Sequence, residues 1–150
     1  MAPTKKTMLF VCLLVAAVAV VVPVAQGNAH KSISLITGKL FCTLNGNGTA
    51  SSPPFPNASV QLRCGSGNGK LFETAKTNST GQFSILEKNL PYTVAQVLSG
   101  CRVVVATPFK KCNSTLPAIG TVASKLTLNP TPVVGPKNVT IYKAVNFKRL

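Results

Sequence analysis

The chain has 150 residues, and 16 lysines and arginines stand against only two acidic residues, so the formal net charge at pH 7 is +14. The only carboxylate and imidazole side chains are those of Glu73, Glu87 and His30. Most hydrolytic and acid–base mechanisms need two tunable groups, and metal sites need clustered His, Cys, Asp or Glu ligands. The composition excludes most enzyme classes, and we expect one domain with no catalytic residue, no metal ion and no other cofactor.

The N-terminal segment has the anatomy of a secretory signal peptide. Lys5 and Lys6 precede an apolar run over residues 8–22, which is shorter than the stretch of about 20 residues that spans a membrane. Helix-breaking Pro23 and small residues follow this run. We expect cleavage and secretion, with no stable membrane insertion afterwards, and an uncleaved signal anchor is the alternative.

Two cleavage sites fit the small residues that follow the apolar run, one after Gly27 and one after Ala29. The predicted organisation is a signal peptide over residues 1–27 and a single β domain over residues 28–150. Because cleavage removes two lysines, the net charge falls from +14 to +12 and the secreted protein stays strongly basic.

The remaining chain alternates short apolar–polar runs with clusters of Gly, Pro, Asn and Ser, which is typical of strands joined by turns. Strands are predicted over residues 38–44, 58–64, 71–76, 82–86, 101–107, 121–128 and 139–147. The segment 92–98 fits either a strand or a loop, and prolines make the stretch 130–136 extended. About seven short strands predict an all-β fold, a small antiparallel β-barrel or sandwich.

Four cysteines remain after the signal peptide is removed. An even number of cysteines in a small secreted chain predicts two disulfides, and the spacings fit no zinc template. Three pairings are possible from the sequence alone. The four residues are Cys42, Cys64, Cys101 and Cys112.

Five N-x-S/T sequons make N-glycosylation of the secreted chain an expectation. They begin at Asn47, Asn57, Asn78, Asn113 and Asn138. Asn78 lies in a predicted turn and is the preferred acceptor, whereas Asn113 adjoins Cys112, where a disulfide would crowd the transferase.

The cysteine-containing segments occur in an order that resembles plant phylloplanins, which belong to the wider pollen Ole e 1 and extensin-like family. The similarity covers roughly residues 36–128. The segments that carry it are Gly38–Cys42, Phe55–Gly65, Thr77–Ser84, Cys101–Pro108 and Cys112–Leu116. Pollen members carry an early pair of cysteines two residues apart and a late sixth cysteine, which this chain lacks, and this favours the phylloplanin branch.

The resemblance implies a secreted β-barrel or sandwich with two disulfides, Cys42 to Cys112 and Cys64 to Cys101. It implies no catalytic residue. Phylloplanins resemble leaf-surface proteins that act against fungal or oomycete germination, while other members of the wider family are cell-wall proteins that associate with pectic polysaccharide.

The excess of lysine is expected to attract polyanions with salt-dependent affinity. The predicted partner is an acidic cell-wall polysaccharide or a microbial surface, and not nucleic acid, which a secreted chain rarely meets. The alternative is that the charge only keeps the surface solvated. The candidate residues are Lys110, Lys111, Lys143, Lys148 and Arg149.

Two further expectations concern exposed charges. The basic C-terminal tail, with Lys148 and Arg149, could form a disordered arm. Glu73 and Glu87 are expected on exposed strand faces, paired with neighbouring lysines for little energy.

The sequence therefore favours a secreted, non-enzymatic plant glycoprotein that acts in defence at the plant surface or in the apoplast. The alternative is a structural cell-wall protein that binds acidic pectic polysaccharide through its lysines, and an enzyme of unusual type is a weaker third hypothesis.

Overall fold

The structure is a computed structural model, and it describes residues 33–130 and 139–150. The predicted signal peptide, most of the proline-rich stretch 130–136 and the sequon at Asn138 lie outside the described residues. The described elements are β1 (Ile33–Lys39), β2 (Ser59–Cys64), β3 (Lys70–Lys76), β4 (Gln82–Glu87), α1 (Val94–Gly100), β5 (Cys101–Val105), a 3₁₀ turn (Phe109–Lys111), β6 (Val122–Leu128) and β7 (Val139–Arg149).

The seven described strands form one sheet in the order β3-β2-β5-β6-β7-β1-β4. The outermost strands, β3 and β4, are joined by the short turn 77–81, so the sheet curls into a nearly closed barrel. The predicted all-β fold is confirmed, and of the two predicted architectures, a small barrel or a sandwich, the structure is the barrel. One pair, β1 with β7, is parallel instead of antiparallel. In a ring with an odd number of strands the directions cannot alternate throughout, so at least one neighbouring pair must be parallel.

The alternation of apolar and polar residues builds the barrel interior. On β2, Val60, Leu62 and Cys64 are buried, while the intervening residues are half-buried. Because successive side chains point to opposite faces of a strand, this pattern places one face of β2 in the core. Each fully buried apolar side chain stabilises the fold by roughly 1.5–3 kcal/mol. Six of the predicted strands are present, with ends shifted by at most two residues.

Two disulfides tie the barrel together. Cys64 and Cys101 lie directly opposite each other on β2 and β5, with their Cα atoms 4.0 Å apart. Cys42 and Cys112 connect the loop after β1 to the 3₁₀ turn, at a Cα separation of 5.9 Å. These are the two pairs that the family resemblance implies. They span 37 and 70 residues, and each stabilises the fold by up to about 4 kcal/mol through loop entropy.

The segment 92–98, predicted as strand or loop, belongs largely to helix α1, and that prediction is wrong. The signal was a capping box at Thr93 and Gln96, in which each side chain accepts a hydrogen bond from the backbone N–H of the other, at 3.3 and 2.9 Å. Val97 is buried and Leu98 packs against the core, but a helix of seven residues is too short to repeat an apolar stripe in the sequence. In the described part of the chain, no helix has the length and apolar character needed to cross a membrane.

The first strand lies earlier than predicted. β1 ends at Lys39, whereas the alternation of apolar residues predicted a strand over 38–44. The Phe41 N–H donates to the carbonyl of Gly46 at 2.9 Å, and Gly46 has a φ of +84°, so the chain turns although the alternation of apolar residues continues. The side chain of Leu44 is 58% exposed as a result.

The C-terminal residues do not form a disordered arm. Lys148 and Arg149 belong to β7 and pair with Ala123 and Val122 of β6. The guanidinium of Arg149 also donates to the carbonyl of Ile119 at 2.8 Å. The charged residues at this end are therefore held by the sheet.

We predict that stability at alkaline pH depends on Tyr142, which is 2% exposed in the barrel interior. Burial raises the pKa of its phenol above the ordinary value of 10.0. As the pH rises through that value the unfolded chain loses the proton first, so the free energy of unfolding falls. Between about pH 8 and about pH 10.5, urea denaturation should show a smaller fall in the free energy of unfolding for Tyr142→Phe than for the wild type.

The matched control is Tyr92→Phe, at a half-buried tyrosine beside the helix. If both variants lose as much stability as the wild type over this pH range, the prediction is wrong.

Candidate functional site

Three lysines from three different strands line one open cleft of about 770 Å³. Lys39 ends β1, Lys76 ends β3, and Lys143 lies within β7, and all three side chains are exposed. The other polar residues that line it are Thr37, Asn78, Gln82 and Ser84. No carboxylate is among the lining residues, so the cleft, hereafter the lysine cleft, is cationic.

Strand register brings most of these residues together. Thr37 on β1 pairs with Lys143 on β7 and with Ser84 on β4. Two residues further along β1, Lys39 pairs with Gln82. Residues at a spacing of two share one face of a strand. The three neighbouring strands therefore present a continuous polar surface that includes two of the lysines.

Lys76 reaches the cleft because the next residue is clamped. The hydroxyl of Thr77 donates to the carbonyl of Phe55 at 2.6 Å and accepts from the N–H of Ala58 at 2.8 Å. Thr77 is 5% exposed, so both bonds are buried. They fix the end of β3 at the gap between the two outermost strands of the sheet.

A tight turn follows and connects this point to β1. The Gly81 N–H donates to the carbonyl of Asn78 at 3.0 Å, and the Leu40 N–H donates to the carbonyl of Gly81 at 2.8 Å. Gly81 has a φ of +78°, and a Cβ atom there would collide with the carbonyl oxygen of Leu40. The position next to Lys39 is thereby joined to the turn that follows Lys76.

The two glutamates do not neutralise this cleft. Oε1 of Glu73 accepts from the N–H of Thr74 at 2.9 Å, and Oε1 of Glu87 accepts from the N–H of Asn89 at 3.0 Å. Neither forms an ion pair with a described residue, so the prediction that they pair with lysines is wrong. Lysine ammonium groups act as point charges, which suits several weak contacts with a polyanion.

The predicted basic residues do not form one site. Lys143 lies in the lysine cleft, whereas Lys110 and Lys111 lie on the 3₁₀ turn beside Cys112. Lys148 lines a different cavity of about 580 Å³, and the guanidinium of Arg149 is bonded to the loop before β6. Lys39 and Lys76 are not among the predicted residues, and they are far from Lys143 along the chain.

Four of the five sequons lie in the described residues. Asn78 and Asn113 are exposed, and each accepts the hydroxyl hydrogen bond of the threonine two positions later, at 2.7 and 2.8 Å. Asn57 is also exposed, with a φ of +55°. Asn47 is half-buried, and its amide bonds both the N–H and the carbonyl of Phe147, so a glycan there would disturb the end of β7.

A second group of cations has a structural role. Arg63 and Arg102 lie opposite each other on β2 and β5. The guanidinium of Arg63 donates to the carbonyl of Gly69 at 3.1 Å, and that of Arg102 donates to the carbonyl of Gly67. Both arginines therefore hold the loop between β2 and β3, and some of their guanidinium N–H groups are occupied by these hydrogen bonds.

No group of three or more His, Cys, Asp or Glu side chains that could hold a metal ion is found within residues 33–130 and 139–150. His30 lies outside this part of the chain.

Comparison with known proteins gives a family model described as "Phylloplanin antifungal protein", which matches residues 30–149. The chain belongs to the phylloplanin family. The resemblance drawn from the cysteine-containing segments is thus confirmed. Phylloplanin of Nicotiana tabacum is 43% identical over 97 residues, which cover 62% of this chain and 59% of the tobacco protein. The chain therefore matches less than two thirds of the length of that relative.

Among solved structures, the crystal structure of the major plantain pollen allergen Pla l 1 is similar to this phylloplanin-family chain, with a TM-score of 0.40 and 15% sequence identity. The match covers 79% of this chain and 94% of the allergen. The phylloplanin family is not a family of enzymes.

We predict that Gly81→Ala lowers the free energy of unfolding by about 3 kcal/mol or more, because it adds a collision to the cost of a positive φ. Gly67→Ala is the matched control, since Gly67 has a φ of +63° and nothing within 4 Å of its Cβ position. It should cost only about 1–2 kcal/mol. Urea denaturation measures both, and equal losses would contradict the role of the Gly81 turn.

Proposed function

We propose that this protein is a secreted, non-enzymatic defence glycoprotein that inhibits fungal or oomycete germination at the plant surface or in the apoplast. The observation that carries the proposal is the family match over residues 30–149, since the description of that family is an antifungal protein. The identity to tobacco phylloplanin supports the same assignment.

The fold supports this proposal physically. A nearly closed barrel with two disulfides is typical of small proteins that must stay folded outside the cell. A disruption of membranes by a cationic amphipathic helix is not supported, because the described helix, α1, has seven residues and no charged side chain. The expected action is binding at a microbial or plant surface.

The germination of fungal and oomycete spores in micromolar purified protein tests this function. We predict fewer germinated spores with the folded protein than with the same protein after reduction and alkylation. The control keeps the sequence and the lysines but lacks the disulfides that hold the fold. Unchanged germination would contradict the defence function, and equal inhibition by both forms would assign the effect to charge alone.

We propose as a second candidate function that the protein binds acidic pectic polysaccharide. The specific observation that favours it is the lysine cleft, where Lys39, Lys76 and Lys143 converge without a carboxylate. Exposed lysine–carboxylate contacts are worth less than about 1 kcal/mol each, so binding requires several contacts along a polymer. Such binding weakens as salt screens the charges.

Retention on a column of de-esterified pectin tests this second function. We predict retention of the wild type at low salt and its release as the salt concentration rises. The triple variant Lys39→Ala, Lys76→Ala, Lys143→Ala should elute earlier, with an affinity lower by about tenfold.

The matched control removes three lysines elsewhere, at Lys110, Lys111 and Lys148, and therefore loses the same charge. It should elute close to the wild type. A wild-type protein that passes through unretained rules out polysaccharide binding, and an equal shift of both variants shows that the cleft has no special part in it.

A further inference from the structure

We propose that an N-linked glycan at Asn78 controls the access of acidic polysaccharide to the lysine cleft. This inference rests on the second function proposed above. Asn78 lines the cleft together with Lys39, Lys76 and Lys143, and it begins an N-x-T sequon. A modification site and three cations therefore share one cavity.

The turn fixes the direction of the acceptor amide. Oδ1 of Asn78 accepts hydrogen bonds from the N–H of Thr80 at 3.0 Å, its hydroxyl at 2.7 Å, and the N–H of Gln82 at 3.0 Å. No hydrogen bond to another described residue uses Nδ2 of Asn78, and the residue is exposed. A sugar on Nδ2 breaks no contact of the fold and begins at the wall of the cleft.

The modification itself is the ordinary transfer of the secretory pathway. A bond forms between Nδ2 of Asn78 and the anomeric carbon of the glycan. The bond between that carbon and its lipid pyrophosphate carrier breaks, and Nδ2 gives up one proton. The transfer adds bulk at the cleft and leaves the three lysines in place.

The glycan acts through its volume. A carboxylate must come within about 4 Å of a lysine Nζ atom to form an ion pair. A bulky glycan attached to the cleft wall occupies this approach. The glycosylated protein should therefore bind an acidic polymer more weakly than the same polypeptide with a trimmed glycan.

Asn113 provides a matched comparison within the same chain. Its Oδ1 accepts from the N–H and hydroxyl of Thr115 at 3.0 and 2.8 Å, so its geometry resembles that of Asn78. It is also exposed, but it lines a different cavity, which contains Lys111 and none of the three cleft lysines.

The experiment uses the protein secreted from plant cells, with glycan occupancy measured by mass spectrometry. Binding of an oligogalacturonide is compared between the glycosylated protein and the same protein trimmed to a single N-acetylglucosamine. Asn78→Gln and Asn113→Gln are measured in parallel. Trimming avoids any change to the Asn78 turn if the Asn78→Gln variant folds poorly.

We expect about tenfold tighter binding for the trimmed protein and for Asn78→Gln, because three weak contacts become available together. Asn113→Gln should bind like the glycosylated wild type. Equal binding by all four forms, or an Asn78 without a glycan in the secreted protein, overturns the inference but leaves polysaccharide binding intact. If no form binds, the polysaccharide function is wrong and this inference falls with it.

Discussion

The arrangement of the outermost strands β3 and β4, where the barrel is not fully closed, depends on the buried hydroxyl of Thr77. It donates to the carbonyl of Phe55 and accepts from the N–H of Ala58, at a position 5% exposed to solvent. Without this hydroxyl, the carbonyl of Phe55 and the N–H of Ala58 would lose these hydrogen bonds inside the protein, which is costly. The clamp sets the end of β3, and through it the Gly81 turn and the start of β4. The lysine cleft exists because two sheet edges are held close here without pairing fully.

The distribution of charge follows from how each type of side chain is used. Arg63 and Arg102 donate hydrogen bonds to carbonyls of the loop between β2 and β3, and Arg149 donates one to the segment before β6. These planar guanidinium groups stabilise the loops whose carbonyls they bind. Of the three cleft lysines, Lys39 places its Nζ atom 5.0 Å from the centre of the Phe41 ring, whereas the Lys76 and Lys143 side chains contact no carboxylate or aromatic ring among the described residues. Arg63, Arg102 and Arg149 thus hold loops, while the side chains of Lys76 and Lys143 face solvent.

Much of the barrel could be predicted from local patterns, because β2 and β4 bury every second residue and turn formers separate them. β1 was misplaced because the alternation continues past Lys39 into a turn, and α1 was missed because its seven residues are too few to repeat the apolar pattern of Val97 and Leu98. The cleft could not be predicted, because it depends on which strands are neighbours. Lys39 and Lys143 come together through the parallel β1–β7 pair, and no local signal in either strand indicates that pairing.

The place of β7 in the sheet also governs when the protein can fold. β7 comes last among the described strands, yet it lies between β6 and β1, so the two halves of the sheet cannot join until it has been synthesised. Contacts between residues so far apart in the chain form slowly. Before β7 joins the sheet, Asn47 cannot accept its hydrogen bond from the N–H of Phe147. The cysteines and the other described sequons then belong to a chain whose sheet is still open. The order of synthesis therefore leaves an interval in which Asn47 and the cysteines of the described residues are accessible before the barrel closes around its core.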